Sequence, residues 1–233
     1  RFLPITAHRA ISHTKNPKAE DKDILLTLAF WNDELAGYLG TLPDQIKIQE
    51  KTVKFAWLST LYISEKFRGK KIAQNILNQV FQKYGYKIAI TEFTKEAESL
   101  YLKTKLFSYI EAKNGMRYYL KAHLSQVLPQ KKKILSSIIP VLKIADFAAN
   151  RLYNLRRKFS SKRKTDGEIL EKVDRESAAF LESFKKNRET EDLNWIMENP
   201  WVLEGEDQDT NYLFSSYAKE FRFYWVKLFD EKN

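Results

Sequence analysis

Cysteine is absent from the 233 residues. That excludes disulfides, cysteine–zinc sites and thiol nucleophiles, and it fits a reducing compartment, so the chain reads as cytoplasmic. Histidine is scarce too, with only His8, His13 and His123. So few imidazoles beside no thiol argue against a dedicated metal centre. No run of about 18 uncharged apolar residues occurs, so no membrane-spanning helix is expected. A signal-peptide pattern is missing from the start. The chain opens on Arg1 rather than Met, which points to a natural N-terminus further upstream.

What is present is a chain with enough apolar side chains for a real core. Hydrophobic residues make up 43% and include 15 Phe, 12 Tyr and 5 Trp, so the chain as a whole is not disordered. The net charge is +10, but it is concentrated. Residues 125–165 hold eleven Lys and Arg against one acid, Asp146. That segment carries the whole excess, and the rest of the chain is balanced. Arguments from basicity concern this segment alone.

Strand and helix signals follow one another from Ile24. Ile24 to Trp31 is rich in β-formers, Asn32-Asp33-Glu34 is a turn, and Leu35 to Leu42 returns, which makes a hairpin. Val53 to Ile63 is a longer third strand. Ile72, Ile76, Val80 and Ala73, Leu77, Phe81, Tyr84 then fall on one helical face, and Gly85 stands where a helix C-cap belongs. Ile88–Ile90 is a short strand. Thr94 can cap a second helix, with Ala97, Leu100, Tyr101 and Thr104 on one face. Ile110 and Arg117–Leu120 flank the hairpin turn Asn114-Gly115. The order β-β-β-α-β-α-β-β describes a mixed sheet with helices packed on it, an α/β chain of α+β type rather than a doubly wound fold.

The turn between Ile63 and the next helix carries the chemistry. The first N–H groups of a helix lack internal partners and lie at the positive end of its dipole, which suits an anion. Gly69 lets the backbone approach closely, and Arg68 and Lys70 can add charge-assisted contacts. The same six residues also suit an ordinary strand-to-helix turn with solvated basic side chains.

The segment Leu61-Tyr62-Ile63-Ser64-Glu65-Lys66-Phe67-Arg68-Gly69-Lys70-Lys71-Ile72-Ala73 resembles the coenzyme-binding segment of the GNAT-type N-acetyltransferases, an apolar strand followed by Arg-Gly-x-Gly-x-Gly/Ala and a helix. Thr94 to Tyr101 resembles the family's later Asn-x-x-Ala-x-x-aromatic/Leu-Tyr segment. The resemblance covers residues 1–124. It departs from the family pattern at Lys71 (usually Gly), Glu65 (often Pro) and Thr94 (usually Asn). It implies acetyl-CoA as co-substrate and direct attack of an amine on the thioester. The pyrophosphate would lie on Arg68, Gly69, Lys70, Lys71, Ile72 and Ala73, and the pantetheine arm along the backbone of Leu61 and Ile63. Tyr101 matches the family's thiolate-protonating tyrosine, although a core aromatic would also fit that position. A general base is not fixed. Glu92 follows the short strand near the cleft, His8 and His13 lie in a segment that often covers the acceptor, and a water relay needs no base.

Beyond residue 124, residues 130–158 read as a long helix. Ile134, Ile138, Val141, Ala145, Ala148, Leu152 and Leu155 share a face, and Pro140 starts a new turn or kinks it. Residues 125–165 are thus a basic amphipathic helix and linker. It would be a connector packed on the domain, an interfacial helix at the inner face of an anionic membrane through residues 130–164, or, least favoured, a nucleic-acid contact, since no base-reading motif accompanies the charge. Residues 166–233 read as a helix at Glu176–Phe184, an aromatic loop at Asn194–Trp201 and strands at Tyr212–Ser215 and Phe221–Phe229. They resemble the opening of a second acetyltransferase-like domain, which would make the natural protein a longer tandem one; the alternative is a small α+β appendage that pairs with the first sheet. Against an acetyltransferase of unassigned acceptor stands a non-catalytic module of the same fold that binds acyl-CoA, a protein or an anionic membrane. Oligomeric state is not legible.

Overall fold

The computed structural model describes residues 2–110, 121–159, 166–183 and 188–229. They divide into two compact units. One takes the chain up to Ser108 together with residues from Gly167 onward; the other runs from Tyr109 to Asp166.

The first unit is built on a sheet in the order β1 (Leu26–Trp31), β2 (Glu34–Ile48), β3 (Lys51–Ile63), β4 (Ile88–Ala89). The first three strands are antiparallel and β4 joins β3 in parallel. Asn32-Asp33 turns the first hairpin as its sequence suggests, with φ of 48° and 62°. Gln49-Glu50 turns a second at 46° and 66°. Both are two-residue turns of the left-handed kind that match strand twist.

The second hairpin departs from the expected end of β2 at Leu42. Pro43-Asp44 looks like a break, because proline cannot donate within a ladder. Here β1 pairs with β2 only as far as Gly40, and the Thr41 N–H donates to the Leu25 carbonyl beyond it. Strand alternation then turns the Pro43 backbone to a side where β1 has already ended. Its carbonyl accepts instead from Asn16 Nδ2 at 2.7 Å. Pro43 therefore interrupts nothing, and β2 continues to Ile48.

On one face of the sheet lies α2 (Ile72–Lys83). Its Ile72, Ile76, Leu77, Val80 and Phe81 pack on Ala36, Leu39, Ala56 and Leu58 to form the core. Gly85 follows the helix at φ +56°, the conformation a C-terminal stop uses. Next come β4 and α3 (Lys95–Thr104), capped by Thr94, whose Oγ1 accepts from the Ala97 N–H. The expected hairpin at Asn114-Gly115 lies outside the described residues.

The same unit also holds α1 (Ala7–Thr14) and the C-terminal elements. These are α6 (Arg175–Glu182), α7 (Thr190–Glu198), and two two-stranded ladders. Strand β5 (Asp166–Leu170) pairs with β8 (Trp225–Phe229), and β6 (Leu203–Glu204) pairs in parallel with β7 (Tyr217–Ala218). Tyr212–Ser215 is irregular rather than a strand, and of Phe221–Phe229 only the last five residues are β. The aromatic stretch beginning at Asn194 opens inside α7.

In the second unit the expected single helix over 130–158 is broken. It consists of α4 (Leu124–Lys131), a 3-10 segment Lys133–Ile138 and α5 (Ile139–Phe159). Pro140 sits in the first turn of α5, where its missing N–H costs nothing. Asp146 explains why one acid belongs among eleven bases. Its carboxylate accepts from the Leu124 and Ser125 N–H groups and the Ser125 hydroxyl, capping the start of α4. Burial opposes the charge, but these donors outweigh it and hold the carboxyl below its ordinary range. Among the described residues no helix is long and apolar enough to cross a membrane.

Candidate active site

Strand β3, which leads into the turn expected to bind an anion, contains a slip. Leu39 faces Leu61 but Thr41 faces Leu58, so Ser59 and Thr60 together oppose Gly40 in a bulge. Before the bulge, the Ala56 N–H donates toward β4, to the Lys87 carbonyl. After it, the Ser64 N–H donates the other way, to Ala36 on β2. Counting back by alternation, Leu61 and Ile63 turn their backbone groups away from β2. Strand β4 pairs with β3 only at Ala56 and Trp57, so this edge is open past Trp57 among the described residues. At this edge the Ile63 carbonyl accepts a long contact from Arg68 Nε at 3.4 Å.

Beyond Ile63 a 3-10 turn, Glu65–Phe67, leads to Arg68 in extended conformation. Gly69 follows at φ +82°, with no protein atom within 4 Å of where a Cβ would stand. Lys71 has φ +59° and ψ 15°, left-handed, and caps α2 without any side-chain hydrogen bond. The first N–H groups of α2 are thus left without a side-chain acceptor. Lys71 occupies the position where a glycine would be unstrained. The basic side chains are already engaged. Lys70 Nζ lies 4.2 Å from the centroid of the Trp31 ring, and Arg68 pairs with Glu65 at 3.5 Å. Ile72 is buried in the core and Ala73 half-buried.

Tyr101 sits on α3, 5% exposed, edge-on to Phe93 and Phe107 at 6.1 and 5.3 Å. Burial among these rings pushes its hydroxyl up to about 12. Glu92 is exposed in the loop between β4 and α3.

Residues 4–103 match the model of the Acetyltransferase (GNAT) family. This stretch is a GNAT acetyltransferase domain. No curated protein matches the chain. Solved structures similar to it include the BH1408 protein of Bacillus halodurans in mutant form (15% identity, 41% of this chain and 64% of that one, TM-score 0.33). They also include a ribosomal-protein-alanine N-acetyltransferase from Brucella melitensis biovar Abortus 2308 (13%, 40% and 69%, 0.32) and glucosamine-6-phosphate N-acetyltransferase from Arabidopsis thaliana (14%, 43% and 69%, 0.34). The match spans less than two thirds of the Bacillus protein's length.

Sequence reasoning missed the other side of the GNAT domain. Helix α1 buries Thr6, Ser12 and His13, polar residues that leave no apolar stripe to find. Trp195 and Trp201 each donate from Nε1 to Ser12, one to its carbonyl and one to its hydroxyl, both at 2.8 Å. His8 Nε2 donates to the Trp201 carbonyl at 3.0 Å, so His8 is tied into this packing. Burial, and then the Arg9 charge, lower the His13 pKa to about 4. A ring so reluctant to protonate is a weak base.

Proposed function

We propose that the chain is an N-acetyltransferase that moves an acetyl group from acetyl-CoA to an amine by direct attack. The observation that carries this is the uncapped start of α2, reached through Gly69 directly after the open β3 edge. The N–H groups of Lys71, Ile72 and Ala73 would receive the pyrophosphate, with Arg68 and Lys70 adding charge once Lys70 leaves the Trp31 face. The backbone of Leu61 and Ile63 would hold the pantetheine arm as an added strand. The amine nitrogen attacks the acetyl carbon and the carbon–sulfur bond breaks. Tyr101, kept protonated by its apolar surroundings, gives its proton to the departing sulfur. The proton lost from nitrogen passes to Glu92, through water because Glu92 is exposed.

Isothermal titration with acetyl-CoA tests the site, and the absence of heat at high concentration would sink it. Thiol release with a panel of amines tests turnover. A chain without cysteine contributes no background to a thiol reagent. Tyr101→Phe should lower turnover by about 100-fold and leave coenzyme affinity nearly unchanged; equal turnover rejects the acid role.

A second reading rests on α5. Val141, Ile144, Leu152 and Leu155 are exposed on one stripe, with Lys143 and Arg151 on the same helix. This combination suits an anionic lipid surface. The domain would then be a membrane-docked module, and co-sedimentation with anionic but not neutral vesicles is its measurement.

A further inference from the structure

Two glycines stand inside β2, Gly37 and Gly40. Both are buried, and neither has a positive φ that would call for glycine. A glycine inside a strand gives up side-chain packing, and it marks a bulge or a place where another backbone comes close. Gly40 is the residue that opposes the Ser59–Thr60 bulge of β3. A Cβ on it would stand 2.4 Å from Ser59 Oγ and 2.8 Å from Thr60 Oγ1. Gly37 pairs with Ile63. A Cβ there would stand 2.4 Å from Ile63 Cδ1 and 2.6 Å from the Tyr62 carbonyl oxygen. That oxygen belongs to the backbone and cannot swing aside as a side chain does. It would have to retreat from 2.6 Å to the 3.4 Å at which ordinary contact begins, and β3 with it.

Both glycines oppose one stretch of β3, Ser59 to Ile63. Before the bulge, Leu42, Pro43 and Asp44 face Trp57, Ala56 and Phe55, and β2 carries side chains there. The close approach begins where β4 ends, since β4 pairs with β3 only at Ala56 and Trp57. Among the described residues this stretch is therefore seated tightly on β2 and open on its other edge. The Ser64 N–H bond to the Ala36 carbonyl then fixes the end of the strand ahead of the turn that holds Gly69.

We propose that Gly37 and Gly40 are positioning residues for the open edge of β3. By letting Ser59–Ile63 settle onto β2 closer than a Cβ permits, they set where the Leu61 and Ile63 backbone groups stand on the far side. The assignment rests on the proposed acetyl-CoA site, in which those groups hold the pantetheine arm. Hydrogen bonds weaken steeply as their geometry is lost, so a strand pushed outward by a Cβ serves the arm poorly. The phosphate turn lies beyond the Ser64 anchor and is spared.

The experiment is isothermal titration with acetyl-CoA and with ADP, which carries the pyrophosphate but no pantetheine arm. Gly37→Ala and Gly40→Ala should each weaken acetyl-CoA by about tenfold or more, the worth of one or two hydrogen bonds, and change ADP by less than about twofold. Gly167→Ala is the control. Its Cβ would meet Leu228 Cδ2 at 3.1 Å on the β5–β8 ladder, and it should leave both affinities as they are. Adding Ser59→Gly to Gly40→Ala removes the 2.4 Å contact and keeps the one with Thr60 Oγ1. The double variant should regain about threefold of the lost acetyl-CoA affinity, and it takes the place of Gly40→Ala if that chain does not fold. A parallel loss of acetyl-CoA and ADP would mean general damage to the fold and overturns the assignment. Variants that bind acetyl-CoA as well as wild type overturn it too, and leave the transfer reading standing. A wild-type protein that binds no acetyl-CoA overturns both, so the wild-type titration tells the two failures apart.

Discussion

The two faces of the central sheet are built by opposite means. On the α2 face, Leu39, Leu58, Ile76, Leu77, Val80 and Phe81 lie in an apolar core drawn from one stretch of the chain, Ala36 to Tyr101. On the α1 face, residues 2–16 meet residues 188–217 through polar side chains. Trp195 and Trp201 bond to Ser12, the Leu3 N–H bonds to the Asn211 carbonyl, and Arg188 pairs with buried Asp44 at 3.0 Å. The first face maximises burial of apolar area. The second accepts the desolvation of polar groups and offsets it with hydrogen bonds between distant segments.

The largest effect expected from this contrast is on the apolar side. Leu77 is 1% exposed at the centre of the core, and Leu77→Ala should cost about 4 kcal/mol from lost transfer energy and the cavity left behind. Chemical denaturation measures it. A cost no larger than that of a surface substitution would mean that α2 is not seated as described.

The same contrast decides what could be seen in the sequence. The α2 face was legible because its residues recur at helical and strand periods within fifty positions, so a local pattern reports a local contact. The turn before α2 is legible for a similar reason: Gly69 and the Ile72 face lie together in the chain. The α1 face was not. Its buried positions Thr6, Ser12, His13 and Asp192 look like surface residues, and their partners are some 180 positions away, a separation no periodicity spans. The length of β2 was hidden by Pro43, whose harmlessness depends on where β1 ends. The left-handed geometry of Lys71 is not legible in the chain itself, since a lysine does not announce positive φ.

The polar face should also make stability depend on pH. His13 is neutral in the fold, its pKa lowered from 6.5 to about 4 by burial and by Arg9. The unfolded chain therefore binds the extra proton first as pH falls. Stability from this group is complete above about pH 6.5, declines as pH drops toward 4, and changes little below that. The loss across the window is about 3 kcal/mol. His13→Gln should flatten the curve of unfolding free energy between pH 6.5 and 4.5. That window lies above the point where the carboxylates with lowered pKa, such as Glu189, begin to lose their contribution. If wild type and variant fall in parallel, His13 is not the titrating group.

The smallest effect concerns the turn itself. Lys71 holds φ +59°, a conformation that costs a residue with a Cβ about 1 kcal/mol or more relative to glycine. Glycine gives part of this back through the greater freedom of its unfolded chain. Because Lys71 caps α2 with no side-chain hydrogen bond, its replacement sacrifices no cap. Lys71→Gly should therefore raise stability by a few tenths to about 1 kcal/mol. The same change should tighten acetyl-CoA binding if the lysine side chain crowds the phosphates and weaken it if the ammonium binds them. The two measurements are independent. Stability reports the backbone strain, and titration reports which way the Lys71 side chain acts on the pyrophosphate. A variant that is less stable than wild type would mean that the left-handed turn carries no strain for glycine to relieve.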